Sequence, residues 1–327
     1  MINQVVTVFG GSGFLGRNAV RALARGGFGY RIRVGVRRPN LANFLLPMGH
    51  VGQIQLLHTD VRDADAVARA VADSRAVINL VGILYPAGGQ SFEAVHVEAP
   101  AIIARAARNA GVETLVHIST PGISTDSESV YSRTKAQGEI ALRQEFPAAT
   151  ILRPSLVFGP DDDFFNKFAG LARVLPALPL IGGGHTKFQP VFVADVATAI
   201  AKCVDDPATR GKTYELGGPS VYSFKEMLHI ILRETNRRRF LLPIPFWLAN
   251  LQASVMQFLP GTLLTPDQVT FLKTDNVVAP GALTLADLGI VPDSLEAVLP
   301  TYLWRFRPKG QFENSVSERT TGSPAVR

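Results

Sequence analysis

The chain has 327 residues, 46% of them hydrophobic and 18% charged. That is enough apolar length for one large α/β domain or a domain with an attached lobe, and it excludes a disordered chain, a mini-protein and a collagen-like fibre. The single cysteine, Cys203, excludes an internal disulfide and a thiolate zinc site and points to a reducing compartment, while the formal charge of +6 suits an anionic cofactor, an anionic membrane surface or an acidic partner without choosing among them.

In chain order, strand-like runs alternate with alanine-rich helical stretches. Val5 to Phe9 predicts a strand, Phe14 to Arg25 a helix, and Arg31 to Val36 and Ile54 to Leu57 two more strands. A helix over Asp63 to Ala72, a strand over Ala76 to Val81 and a helix over Pro100 to Ala110 follow. Thr114 to Ile118 predicts a strand, Tyr131 to Glu145 a helix and Thr150 to Leu152 a strand. This alternation predicts an α/β fold, a Rossmann-type doubly wound parallel sheet. We assign residues 1–165 to that core, completed by a strand and helix over 189–204, and residues 166–188 and 205–307 to a smaller C-terminal lobe. The polar stretch 308–327 reads as a flexible tail. With Val5 already in a strand, the expectation is a cytosolic bacterial protein without a secretory signal or presequence.

Between the first strand and the first helix stands Gly10-Gly11-Ser12-Gly13-Phe14-Leu15-Gly16. Glycines fall where backbone must approach a pyrophosphate, and the helix N-terminus faces the phosphates. A glycine-rich turn alone is weak evidence; its place between strand and helix makes dinucleotide binding the expectation. At the end of the second strand, where an NAD site places a carboxylate, the chain has Arg37 and Arg38, whose guanidinium groups suit the 2′-phosphate of NADPH. The plainer alternative is a pair of solvated surface charges. Asp60 and Val61 follow the third strand and are assigned to the adenine edge, with Asp63 there or at a helix cap. Val81 and Gly82 follow the fourth strand beneath the cofactor.

Tyr131 and Lys135 stand four apart, on one face of a helix, so the ammonium lowers the phenol pKa and holds the nicotinamide ribose. Ser119, ending the fifth strand, completes a Ser/Tyr/Lys set. Such a pair is common by chance on any helix, and its place after the fifth strand of a nucleotide-binding fold gives it weight.

With these residues, and with Leu152-Arg153-Pro154-Ser155-Leu156-Val157-Phe158-Gly159-Pro160, the chain resembles the extended short-chain dehydrogenase/reductase superfamily over about residues 4 to 235. Finer features resemble one branch, the short-chain-dehydrogenase-like accessory subunit of respiratory complex I, the NADH:ubiquinone oxidoreductase. They are Pro47 to Ile54, His96-Val97-Glu98-Ala99-Pro100, Gly111-Val112-Glu113 leading to Ser119, Leu264 to Val269, and Lys273 to Val278. The resemblance implies a structural NADPH, held by the glycine loop, Arg37, Asp60, Tyr131 and Lys135, with Pro154 among the cofactor-binding positions. It also implies other complex I subunits as partners, at the cytoplasmic face of a bacterial inner membrane where the peripheral arm meets it. Ser119 is followed by Thr120-Pro121-Gly122, a departure from the reductase pattern, so independent turnover is not expected.

Between Arg239 and Asp267 no residue is charged. A helix from Phe246 to Leu259 reaches about 21 Å at 1.5 Å per residue, short of a hydrocarbon core of roughly 30 Å, and does not span. Trp247, Leu248, Leu251, Val255, Phe258 and Leu259 share one side of it, Asn250, Ser254 and Gln257 fall on another, and Arg237-Arg238-Arg239 stands upstream. That layout suits a peripheral helix contacting the membrane surface through residues 237–264, and equally a core helix of the lobe. The resemblance favours the former.

Gly182-Gly183-Gly184-His185 reads as a turn, Asp195 as an N-cap and Asp161-Asp162-Asp163 as a solvated loop; neither a metal nor a nucleic acid is expected. The resulting expectation is an NADPH-binding accessory subunit of complex I. The rivals are an NADP-dependent reductase of a hydrophobic, quinone- or steroid-like substrate using Ser119, Tyr131 and Lys135, and a soluble NADP-sensing regulator.

Overall fold

In the computed structural model, which describes residues 4–27, 29–256 and 265–312, the chain divides into two units. The first comprises Met1–Ser155, Val193–Gly217 and Val278–Val291, and the second Leu156–Phe192, Gly218–Val277 and Pro292–Arg327. In chain order the strands are β1 Val5–Phe9, β2 Arg31–Val36, β3 Ile54–His58, β4 Ser74–Asn79, β5 Thr114–Ile118, β6 Thr150–Pro154, β7 Val157–Phe158, β8 Ala177–Ile181, β9 Lys187–Phe188, β10 Val191–Phe192, β11 Thr213–Leu216, β12 Tyr222–Ser223 and β13 Phe240–Ile244. The principal helices are α1 Phe14–Arg25, α2 Ala64–Val71, α3 Ala99–Asn109, α4 Val130–Glu145, α5 Asp163–Val174, α6 Val193–Asp205, α7 Phe224–Glu234 and α8 Phe246–Met256.

The first unit is built on one seven-stranded parallel sheet in the order β11-β6-β5-β4-β1-β2-β3. Its central strands are covered on both faces, so β1 has no polar alternation: Val6, Thr7, Val8 and Phe9 are all fully buried. The one hydroxyl among them is satisfied, Thr7 Oγ1 donating to the Ala70 carbonyl at 2.9 Å. Helices α2 and α3 lay Val67, Val71, Ile103 and Ala107 against Phe9, Val77 and Leu115. The strand order reverses between β1 and β4, and a crevice for a ligand opens at the carboxyl ends of two strands that diverge in this way.

The unit boundaries differ from those read in the sequence. The seventh strand, β11, falls in the stretch we had assigned to the lobe, as does Val278–Val291. Four residues carry too short a pattern to announce a strand, but β11 finds a ready ladder on β6, and Glu215 then accepts the Ala279 N–H at 2.8 Å, tying the later segment back to the sheet. Asp195 is the third residue of α6 and not its cap. Cys203 is fully buried and burial pushes its thiol up to about 12, which leaves it inert.

In the second unit three two-stranded pairs, β7 with β10, β9 with β12 and β8 with β13, surround an aromatic core in which Phe164 and Phe168 pack on Phe224 at 5.9 and 5.5 Å. Asp162, expected in a solvated loop, is buried instead: it caps α5, accepting the Phe165 N–H at 2.5 Å, and receives the Tyr302 hydroxyl at 2.7 Å. A helix start inside a core needs an acceptor there, and Asp162 supplies it. The three glycines 182–184 form a turn with positive φ throughout, as expected.

Helix α8 turns small residues inward, with Ala249 and Ala253 buried and Trp247 and Leu251 exposed at 69% and 60%. Leu248 departs from the expected outer face and packs partly into the core. Val255, Gln257, Phe258 and Leu259 contribute nothing further, because the side chain of Val255 and residues 257–264 lie outside the described residues. Of the arginine run, Arg237 and Arg239 donate to the carbonyls of Phe306 and Ala172, each at 2.9 Å, and are half-buried, while Arg238 is exposed. Among the described residues no helix is long and apolar enough to cross a membrane. Of the expected tail, Gly310–Phe312 forms a single 3-10 turn and 313–327 lie outside the described residues.

Candidate functional site

The loop after β1 is shaped by three glycines under different constraints. Gly10 has φ +79°, and a Cβ there would stand 3.0 Å from the Leu80 backbone at the end of β4. At Gly16 a Cβ would come within 2.1 Å of the Gly10 carbonyl oxygen, so only glycine lets α1 start this close to the strand. Gly13 meets neither constraint: its φ is −74°, a Cβ would touch only the Gly10 oxygen at 3.4 Å, and the residue is exposed. It is the N-cap of α1, supplies no capping side chain and precedes a first turn without an acid, leaving the positive end of the helix to an outside anion. Ser12, Phe14 and Leu15 are part-buried around it.

The neighbouring strand ends bring the other expected positions to the same edge. Arg37 and Arg38 follow β2 and are both exposed. Asp60, after β3, is held by the Arg62 guanidinium at 2.6 Å, which with its hydrogen bonds keeps the carboxyl below the usual range; Arg37 adds a smaller lowering. Val61 is buried, and Asp63 serves as the cap of α2, accepting the N–H groups of Asp65 and Ala66. Beyond β4, Asn79 Oδ1 accepts the Val81 N–H at 3.1 Å and turns the chain toward the exposed Gly82. Pro154 ends β6 and is buried.

Tyr131 and Lys135 occupy successive turns of α4, whose start is capped by Ser129. Lys135 is buried, and its Nζ donates to the Ile118 carbonyl at 2.8 Å, one residue before Ser119. Burial pushes its ammonium down to about 8, against a smaller raising influence of Glu139. The Ser119 hydroxyl is buried and, among the described residues, has no hydrogen-bond partner. Of the three residues named from the sequence, Ser119 therefore stands just past the end of β5 and Tyr131 and Lys135 on α4, which Lys135 ties to that strand end.

Four neighbours were not assigned from the sequence. His96 sits on a π-helical turn, Glu93–Glu98, and packs edge-on against the Tyr131 ring at 5.4 Å. Its Nε2 accepts the Ile83 N–H at 3.1 Å, which places the ring proton on Nδ1, 3.2 Å from the hydroxyl of Thr134. Thr134 in turn donates to the Val130 carbonyl at 2.8 Å. His117 is buried beside Asn79 at 3.1 Å. Burial, with the Lys135 charge second, holds His96 down to about 3 and His117 well below its ordinary value, so both imidazoles are neutral at pH 7. A further anchor is Arg153, which forks onto Glu139 of α4 at 2.6 and 2.9 Å and reaches Glu215 of β11 at 3.3 Å. A histidine in the middle of a strand or helix carries no local sign of such contacts; the glycine at 138 was the available signal, since a Cβ there would stand 1.7 Å from the His96 carbonyl oxygen.

The model of the NAD dependent epimerase/dehydratase family matches residues 6–217. The NADH dehydrogenase (ubiquinone) 1 alpha subcomplex subunit 9, mitochondrial, of Arabidopsis thaliana is 37% identical over 328 residues, covering 96% of this chain and 81% of that protein. The Mus musculus protein of the same name is 37% identical over 319 residues, covering 96% and 83%. Among solved structures, the dTDP-glucose 4,6-dehydratase DesIV of Streptomyces venezuelae, with NAD and TYD bound, has a TM-score of 0.71 at 21% identity over 93% of this chain and 96% of that one, which is a likeness of fold. The chain belongs to the NAD dependent epimerase/dehydratase family and, within it, to the extended short-chain-dehydrogenase-like family of the NADH dehydrogenase (ubiquinone) 1 alpha subcomplex subunit 9 proteins.

Proposed function

We propose that this protein is an NADPH-binding accessory subunit of bacterial respiratory complex I, with a structural or assembly role, lying peripherally on the cytoplasmic face of the inner membrane where the peripheral arm meets it. The observation that carries this reading is the likeness to the subunit 9 proteins over 96% of the chain, at 37% identity, well beyond the nucleotide-binding portion. The glycine loop, the open positive end of α1 and the arginines after β2 support a dinucleotide with a 2′-phosphate. When bound, NADPH supplies a hydride; the residues of this chain would hold it, with Gly10, Ser12, Gly13, Phe14, Leu15 and Gly16 at the pyrophosphate and Arg37 and Arg38 at the 2′-phosphate. Asp60 and Val61 would border the adenine, Val81, Gly82 and Pro154 the middle of the cofactor, and Tyr131 and Lys135 its ribose. A ligand that binds only the folded state stabilises it by linkage, which is how a nucleotide without turnover serves assembly. The exposed Trp247 and Leu251 on α8 support a contact with lipid or with membrane-proximal subunits.

The test is gentle solubilisation of native membranes, capture of the tagged chain, identification of co-purifying proteins and extraction of its nucleotide. Recovery of complex I subunits with stoichiometric, slowly exchanging NADPH is the expected result; recovery of a free, soluble protein with readily exchanging NADP(H) would overturn it. One observation favours a second reading, an NADP-dependent reductase of a hydrophobic substrate: Ser119 keeps a buried hydroxyl that is unpartnered among the described residues, next to Lys135's acceptor. Tyr131→Phe separates the two, abolishing turnover in a reductase and leaving complex I activity intact in an accessory subunit.

A further inference from the structure

The nucleotide-binding reading leaves unused the surface formed by α1 and the two 3-10 helices after β2, Pro39–Leu41 and Asn43–Met48. These run with a period of three, as such helices do. Ala42 and Leu45 point inward and are buried, while Leu41, Phe44 and Pro47 share the outer side, with Leu41 63% and Phe44 43% exposed. Leu46 and Val51 are exposed beside them.

This apolar ridge lies along α1. The Arg17 guanidinium stands 5.6 Å from the centre of the Phe44 ring, and farther along Gln53 Nε2 donates to the Ala24 carbonyl at 3.1 Å. On α1, Arg17, Arg21 and Arg25 recur at every fourth residue and so form one stripe, about 12 Å long at 1.5 Å per residue. Arg21 and Arg25 are exposed and, among the described residues, enter no ion pair; α1 contains no acidic residue. Like charges one turn apart oppose the helix that carries them, and an opposite charge removes that cost.

We propose that this strip docks an acidic amphipathic helix of a partner protein, with carboxylates at every fourth residue facing Arg21 and Arg25 and apolar side chains seated on Leu41 and Phe44. Charge complementarity selects the sign of the partner, and the helical spacing of the arginines selects its form. A fluid anionic lipid layer makes no use of that spacing, nor of a ridge fixed by the buried Ala42 and Leu45.

The inference stands apart from the identity of the complex, and its test uses the full chain. The probe is a synthetic helical peptide with glutamate at every fourth residue and leucine on the adjoining face, compared with a scrambled peptide of the same composition. The expected result is binding of the first peptide, weakened at least about tenfold by Arg21→Glu with Arg25→Glu and several-fold by Leu41→Ser with Phe44→Ser. Melting temperature and NADP(H) affinity serve as folding controls, with Arg21→Ala and Arg25→Ala as the milder pair. Photo-crosslinking from position 41 in native membranes is expected to capture a protein segment with acids at the helical repeat. Equal binding of the scrambled peptide, undiminished binding by the charge-reversed variant, or binding only of phosphatidylglycerol vesicles through Arg21 and Arg25 would overturn the proposal. A crosslink to such a segment outside complex I would support this surface and overturn the function proposed above.

Discussion

Gly13 and Gly16 stand three residues apart in one loop and answer to different demands. Gly16 is required by the packing of α1 on the strand end, whereas nothing in the fold forbids a side chain at Gly13. Its extended backbone, φ −74° and ψ 179°, is that of an N-cap, where aspartate stabilises a helix. Gly13→Asp is therefore expected to raise the stability of the nucleotide-free protein by about 0.5–1 kcal/mol and, under the function proposed above, to abolish the stabilisation expected from added NADPH, both read from melting curves with and without NADPH. A variant that melts lower without ligand, or keeps its NADPH response, would contradict the assignment.

Lys135 makes a second prediction at this scale. Its folded pKa of about 8 lies below the ordinary 10.5, so between those values the unfolded chain binds more protons than the folded one. The stability contributed is present above pH 10.5 and is lost as pH falls through 8, so Lys135's own contribution rises across that window, against the opposite slope that the raised Cys203 thiol adds above pH 9. The gain is on the order of 3 kcal/mol at most, and Lys135→Met should flatten it in urea titrations run across the range. An unchanged pH profile in the variant would place the effect elsewhere.

At the scale of elements, the approach of the π-helical turn to α4 sets the surroundings of Tyr131. Gly138 makes that approach possible, since a Cβ there would overlap the His96 carbonyl oxygen. Gly138→Ala should cost about 3 kcal/mol in urea unfolding by forcing the two elements apart. It should also disturb the His96 and Tyr131 packing, seen as a changed tyrosine environment in near-ultraviolet circular dichroism. From the other side Arg153 fixes α4 to β6 and β11 through Glu139 and Glu215. Truncating Arg153 would leave two nearly buried carboxylates without their counter-charge, so its effect would fall on the fold as much as on the site.

For the whole molecule, the exposed apolar side chains of α8 carry the prediction. Trp247 and Leu251 contribute little to the core, so Trp247→Ser with Leu251→Ser should leave the melting temperature nearly unchanged. Under the function proposed above, membrane retention, measured by flotation or by the fraction co-purifying with complex I, should fall. A large drop in melting temperature would return α8 to an ordinary packing role.

Six of the seven strands of the main sheet and its first four helices were legible in the sequence because each carries its own period and stop signals: a run of β-branched residues ending at Gly10, or an amphipathic helix closed by Gly26. So were the glycine loop, the arginines after β2 and the spacing of Tyr131 and Lys135, since each is a local pattern. What the fold alone decided was non-local. The strand β11 exists because β6 offers a ladder, and Asp162 is buried because a helix begins inside a core. His96, Thr134 and His117 gather around Tyr131 and Lys135 only once the elements pack. Local signals come from backbone sterics and side-chain periodicity within a few residues, whereas desolvation and polar pairing in a core arise between residues far apart in sequence, and only packing fixes those partners.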